Sequence, residues 1–131
     1  MARLKSPRKL LDKDVFDALS KKRRQLNPAC QIEDGHEHKG YLQGGHIISR
    51  TYHGVAFSLA DIVTICMSHH RYYTDHDLEW EAYWLKVDPE RWHRLKRVAI
   101  AYANNPFPKV DRDAAMSCIQ AGIDYWWARA S

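Results

Sequence analysis

The sequence predicts an α+β chain in which a small β-part sits among helices. Two short β-type runs, His46-Ile47-Ile48 and Ile62-Val63-Thr64-Ile65, are separated by a loop. From residue 78 onward apolar residues recur at helical spacing, with breaks at Asp88-Pro89 and Asn105-Pro106. Ahead of the first run, residues 30–45 (CQIEDGHEHKGYLQGG) hold four glycines and no helical stripe, and read as a turn-rich knuckle.

The elements follow in chain order, as one compact domain in three stretches: a basic N-terminal helix or arm over 1–29, a core over 30–87 and C-terminal helices over 88–131. Leu10, Leu11, Val15, Phe16 and Leu19 predict a first helix. The run Lys21-Lys22-Arg23-Arg24 behind it is either a solvated helix end or a phosphate-contacting arm, and Asn27-Pro28 ends the helix. Residues 45–53 read as the first strand and the start of a loop, and Ile62 to Ile65 as the second strand. From Cys66 the periodicity turns helical. Thr74 and Asp77 signal the start of a helix carrying Leu78, Trp80, Tyr83, Trp84 and Leu85. Asp88 then caps a helix that begins on Pro89 and carries Trp92, Leu95, Val98, Ala99 and Tyr102. Beyond the Pro106-Phe107-Pro108 linker, Asp111 opens a last helix through Met116, Ile119, Ile123 and Trp126-Trp127. The tryptophans sit at helical spacings, so core packing or a dimer seam explains them more simply than base stacking.

Composition narrows the class. A 131-residue chain with 45% hydrophobic and 27% charged residues is ordinary for a globular protein. No apolar run approaches the ~20 residues that cross a bilayer. The start, MARLKSPRKLLDKD, lacks the apolar centre of a secretory signal, so a cytoplasmic protein with no membrane attachment is expected. A net charge of +4 modestly favours a polyanionic partner. Three separated cysteines argue against a disulfide framework.

Two cysteines lie near histidines, which points to metal. Cys66-x-x-His69 is a short chelating pair, and Cys30 with a knuckle histidine completes a four-ligand set. The preferred structural-zinc ligands are Cys30, His38, Cys66 and His69, with His36 as substitute for His38 and Glu33 as a weaker candidate. The competing reading is a buried Cys30 with no zinc. Cys118 reads as core. His46 or His70 alone would read as an ordinary satisfied histidine, and their order with Asp61 and the Cys-x-x-His pair is what gives them weight.

That order, GGHIISR followed by ADIVTICMSHHR, resembles the HNH endonucleases. The following segment, HRYYTDHDLEWEAYW, is similar to the tail of phage HNH proteins, and GGHIISR resembles the NinG (Rap) group of phage recombination nucleases. The resemblance implies a ββα-metal core, a hairpin and helix around one divalent ion (Mg²⁺ or Mn²⁺), beside a zinc knuckle. It implies DNA hydrolysis to 3′-hydroxyl and 5′-phosphate ends, in phage biology and on branched recombination intermediates. His46 falls on the catalytic base, Asp61 on the orienting asparagine position and His70 on the metal ligand. Gly45 stands where relatives often carry an aspartate ligand, Asp61 replaces asparagine, and Glu33 replaces a knuckle cysteine. Asp61 therefore either orients His46 or enters the metal shell. Arg50 and Arg71, and Lys39 from the knuckle, are candidates to hold phosphates. A double-strand break would need a homodimer or two nicks. The rival readings are a non-catalytic zinc-binding DNA module and a phage packaging adaptor using the tryptophan-rich helices.

Overall fold

The computed structural model describes residues 9–104 and 109–126. Helix α1 spans Asp12–Leu26 and buries Val15 and Leu19, four residues apart on one face. Asp12 and Asp14 lie in its first turn and Arg23 and Arg24 in its last, the charge order that the helix dipole favours.

Strand β1 (Leu42–His46) pairs antiparallel with β2 (Ile62–Cys66), setting Leu42 opposite Cys66 and His46 opposite Ile62. The first strand thus ends at His46, where the sequence placed its beginning. Two glycines explain the offset. A Cβ on Gly44 would lie 2.7 Å from Ser20 Cα, and one on Gly45 would lie 2.9 Å from Ile65 Cγ2. Glycine is a poor strand former by propensity, yet here its lack of a side chain lets α1 and β2 close on β1. Ser20 Oγ accepts the Gly44 N–H at 3.0 Å across that contact.

The connection between the strands, read from sequence as loop, contains a short helix α2 (His53–Ala56), buried from Gly54 onward, and a buried 3₁₀ turn (Leu59–Asp61). Its carbonyls are held from two sides. Arg23 donates to Ile62 O at 2.8 Å and Leu59 O at 2.9 Å, while Arg91 donates to Ala60 O at 2.8 Å and Ile62 O at 3.3 Å. Asp124 Oδ1 accepts the Ala60 N–H at 2.7 Å. Arg23 is therefore an internal tie rather than part of a solvated or phosphate-contacting run.

Helices α3 (Met67–Thr74), α4 (Asp77–Val87), α5 (Pro89–Asn104) and α6 (Arg112–Ala121) follow. Asp88 caps α5, its Oδ1 accepting the Arg91 N–H at 3.2 Å, and Asp111 caps α6 through the Ala114 N–H at 3.0 Å. Helix α6 stops earlier than the apolar spacing suggested. Gly122 takes a left-handed φ of +73° and Ile123 N–H returns to Cys118 O at 3.0 Å, so Ile123 and Trp126 lie beyond the helix. Residue Trp127 and the linker at 106–108 lie outside the described residues.

Strand β2 is buried throughout and separates two apolar clusters. On one side Ile47, Ile48, Val63 and Ile65 pack with Trp84, Trp92, Leu95 and Ala99 of α4 and α5. On the other, Val15 and Leu19 pack with Phe57, Leu59, Ile62 and Ala115 and Ile119 of α6. Trp84 and Trp92 are thus core, and Cys118 packs half-buried against the second cluster. No helix among the described residues is long and apolar enough to cross a membrane.

The close seat of α1 on β1 gives a direct test. Gly44→Ala forces a methyl against helix backbone and is expected to lower the unfolding free energy by about 1–3 kcal/mol. Urea denaturation measures it, and an unchanged midpoint would mean that α1 does not bear on the strand.

Candidate functional site

The first site lies at the corner where β2 becomes α3. Cys66 ends the strand and His69 occupies the first turn of the helix, an i, i+3 pair that brings both side chains to one side. The knuckle docks onto the same corner. Met67 N–H donates to Tyr41 O at 3.0 Å and Ser68 N–H to Lys39 O at 3.1 Å, so backbone carbonyls fill the amino end of α3. Gly40, at φ +85°, is needed there because a Cβ would lie 2.7 Å from Met67 Cβ. This docking brings Cys30 and His38 to Cys66 and His69, and the four ligand atoms all lie within 4.8 Å of one another.

The set could bind a metal such as zinc. His69 Nδ1 lies 3.0 Å from Cys66 Sγ and 3.8 Å from Cys30 Sγ, and His38 Nδ1 lies 3.9 Å from Cys66 Sγ. Tetrahedral zinc with two sulfurs and two nitrogens sets neighbouring ligand atoms roughly 3.4–3.8 Å apart. Burial raises the Cys66 thiol, but the Ser68 hydroxyl, the His69 and Lys39 N–H groups and His38 outweigh it and bring its pKa down to about 5. Cys66 is accordingly a thiolate near neutrality, the form that binds metal. Burial pushes Cys30 up, against the pull of N–H groups that include Cys66 N–H at 3.3 Å.

Asp34, which sequence reasoning passed over, organises the outer layer. His69 Nε2–H donates to its Oδ1 at 2.8 Å, fixing the tautomer that leaves Nδ1 for the sulfur cluster. Tyr73 Oη–H donates to Asp34 Oδ2 at 2.5 Å, and His36 N–H donates to Oδ1 at 2.9 Å. Burial raises the Asp34 pKa, but Tyr73, His36 and His69 together hold it well below the usual carboxylate range. The His36 ring also leans on Asp34, at 3.1 Å, so His38 rather than His36 joins the cysteines. Glu33 stands 3.4 Å from His38 Nε2 and is not one of the four converging groups.

The second site is a cleft of about 600 Å³ lined by His46, His70, Gly45, Gln43, Arg50 and Tyr73, among others. His46 Nε2–H donates to Ala56 O at 3.0 Å, which leaves Nδ1 with the lone pair. Burial lowers the His46 pKa to about 4; the Ala56 carbonyl opposes this, and Arg50 and His70 add to it. His70 Nδ1–H donates to Gln43 Oε1, leaving Nε2 as its acceptor nitrogen. A Cβ on Gly45 would stand 3.8 Å from that Nε2, so the glycine leaves open the space beside it.

Asp61 is not hydrogen-bonded to His46 in this structure. Its side chain is fully buried, and Oδ1 accepts the Ile48 N–H at 2.7 Å across the base of the interstrand connection. At the end of the 3₁₀ turn the carboxyl thus meets backbone through Oδ1. His46 is hydrogen-bonded instead to the Ala56 carbonyl, and among the described residues no convergent metal-ligand group contains Asp61 or His70. Asp61 Oδ2 has no hydrogen-bond partner, and burial holds its pKa well above the usual value against the pull of Ile48 N–H and Arg91.

Arg50 lines the main cleft, and Arg71 lines a smaller hollow of about 280 Å³ that shares His70 and Gln43 with it. Lys39 instead pairs with Glu37 at 3.5 Å and lines neither. The residues that sequence reasoning missed are Asp34, Tyr73, Gln43 and the Ala56 carbonyl. Only Asp34 had a local signal, the Asp-Gly turn before His36.

Two measurements follow. Asp34→Asn is expected to weaken zinc binding about 10- to 100-fold, read by competition with a chromophoric chelator; unchanged affinity would remove Asp34 from the site. His46 has a folded pKa below the 6.5 of an ordinary histidine, so the unfolded chain binds the proton first on acidification. Stability contributed by the neutral ring is complete above that ordinary value and is lost as pH falls towards about 4. Between about pH 7.5 and 4.5 the wild type should lose on the order of 2–3 kcal/mol more than His46→Gln in urea melts. Parallel losses in the two proteins would refute the burial of a neutral His46.

Comparison with known proteins found no matching family model, no matching curated protein and no matching solved structure.

Proposed function

We propose that this protein is a metal-dependent HNH endonuclease, with β1, β2 and α3 as its ββα-metal core and DNA as its substrate. The observation that supports this best is the paired imidazoles of one cleft. His46 and His70 each have one nitrogen fixed by an acceptor and the other left with a lone pair. Exposed Arg50 lines this cleft and exposed Arg71 lines the adjoining smaller hollow, and neither has an acidic partner among the described residues.

In this reading His46 Nδ1 takes a proton from water as the water oxygen attacks phosphorus, the bond to the 3′ oxygen breaks, and the departing oxygen takes up a proton from solvent. The products are a 3′-hydroxyl and a 5′-phosphate. His46 at about pKa 4 is neutral at physiological pH, and a phosphodiester anion beside it would raise its basicity towards the range useful for general-base catalysis. Arg50 and Arg71 would grip phosphates on either side of the cut. His70 Nε2 would be the protein's ligand to a divalent ion such as Mg²⁺ or Mn²⁺, which when bound supplies positive charge to the scissile phosphate. Because one imidazole is a sparse ligand set, the rest of the shell would come from phosphate and water oxygens, as hard cations accept. The Cys30, His38, Cys66 and His69 cluster would hold structural zinc.

That sparse set also favours a second reading, a zinc-binding DNA module that does not cut. The packaging-adaptor reading has less support, since Trp84 and Trp92 are buried in the core.

Nicking of supercoiled plasmid with Mg²⁺, Mn²⁺ or EDTA decides between cutting and binding. Metal-dependent nicking is expected, with His46→Ala slower by about a hundred-fold or more. Equal cutting by His46→Ala would remove the base. No cutting, together with tight binding that weakens steeply with salt, would establish the binding module.

A further inference from the structure

Tyr73 touches both sites. It lies four residues after His69 and three after His70 on α3, so its direction falls between those of the two histidines. Its hydroxyl is bonded to Asp34, the carboxylate that holds His69, while its side chain also lines the His46–His70 cleft. Its ring packs 4.9 Å from that of Trp80, whose Nε1–H donates to Ile47 O at 2.8 Å. Ile47 follows His46 directly. A continuous line of bonds and ring contact therefore runs from a ligand of the Cys/His cluster to the backbone that carries His46.

We propose that Tyr73 is a positioning residue through which metal at the Cys/His cluster fixes the geometry of the His46 cleft. A metal on His69 Nδ1 holds the imidazole still, and its Nε2–H then holds Asp34. Asp34 holds the Tyr73 hydroxyl, the Tyr73 ring sets the Trp80 indole, and the indole N–H pins the Ile47 carbonyl. The links are short and partly to fully buried: His69 and Tyr73 are almost wholly enclosed, Asp34 and Trp80 are half-buried, and Asp34 shares one carboxylate among three donors. A packed chain of this kind transmits displacement because it has little free volume to absorb it. The inference rests on metal binding by the cluster and does not require that the cleft cut DNA.

The test uses the metal-loaded full chain, in wild type and Tyr73→Phe, which keeps the ring and removes the hydroxyl. Nuclear magnetic resonance follows the Trp80 indole N–H and the His46 imidazole, and the absorption of Co²⁺-substituted protein reports the cluster. In Tyr73→Phe the cobalt spectrum should persist, while exchange of the Trp80 indole proton quickens by about ten-fold or more. Amides around Val15 and Leu19, in the other apolar cluster, should keep their protection. Replacing Zn²⁺ by Cd²⁺ should shift the Trp80 and His46 signals in wild type and leave them still in Tyr73→Phe. Equal responses in both proteins would overturn the proposal, as would faster exchange throughout the chain, which would mark Tyr73 as a packing residue only. Should Tyr73→Phe not fold, the metal exchange in wild type still decides: Trp80 and His46 signals indifferent to Cd²⁺ would end the idea.

Discussion

The corner from β2 into α3 is the constraint on which both sites depend. Adjacent residues on a helix point about 100° apart, so His69 and His70 leave α3 in different directions from one turn. His69 goes to the thiols and Asp34, and His70 goes to Gln43 and the cleft. The docking of Lys39 and Tyr41 carbonyls onto the first N–H groups of the same turn fixes its entry angle. A shift of register in β2 by one residue would exchange its buried faces and scatter both sites at once. The glycines opposite, Gly44 and Gly45, fit this account: they allow the helix and strand contacts that hold the register.

The connection between the strands shows how charge is used inside the fold. Arg23, from the first helix, and Arg91, from the fifth, both deliver guanidinium N–H groups to carbonyls of residues 59–62. A carbonyl cannot follow secondary-structure pairing through such a tight turn, and buried polar groups must still find partners. Asp61 adds an acceptor for Ile48 N–H at the base of the same connection. Its second oxygen has no hydrogen-bond partner, and burial raises its pKa well above the usual carboxylate value.

Much of this was legible in the residues. The four converging ligands could be picked out because Cys-x-x-His at a strand-to-helix corner is a local pattern, and Cys30 then needed only one histidine from a short knuckle. The caps of α5 and α6 were equally local, since Asp88-Pro89 and Asp111 carry their own geometry. What sequence could not show were the long-range partners. Arg23 sits in a basic run whose neighbours stay at the surface, and its burial depends on where residues 59–62 fold back against α1. Asp61 was assigned by its place in a motif, whereas its direction was decided by a 3₁₀ turn that no periodicity announced. The start of β1 was misplaced for a related reason: glycine lowers strand propensity, yet close approach to Ser20 and Ile65 required it. The end of α6 was overrun because apolar spacing continued through Ile123 while Gly122 had already closed the helix.

The electrostatics of the cleft bear on the nuclease reading. Burial, Arg50 and His70 all work against protonating His46, and burial works against protonating His70. Two neutral imidazoles line a cleft whose charged residues are of both signs, Arg50 on one hand and Asp17 and Asp77 on the other, with Asp17 paired to Lys13 at 2.8 Å. Neutral lone pairs leave a base free to accept a proton. Under the nuclease reading a phosphate would be drawn by Arg50 and by the chain's formal charge of +4, against the carboxylates of the same cleft, so its binding would weaken as salt rises.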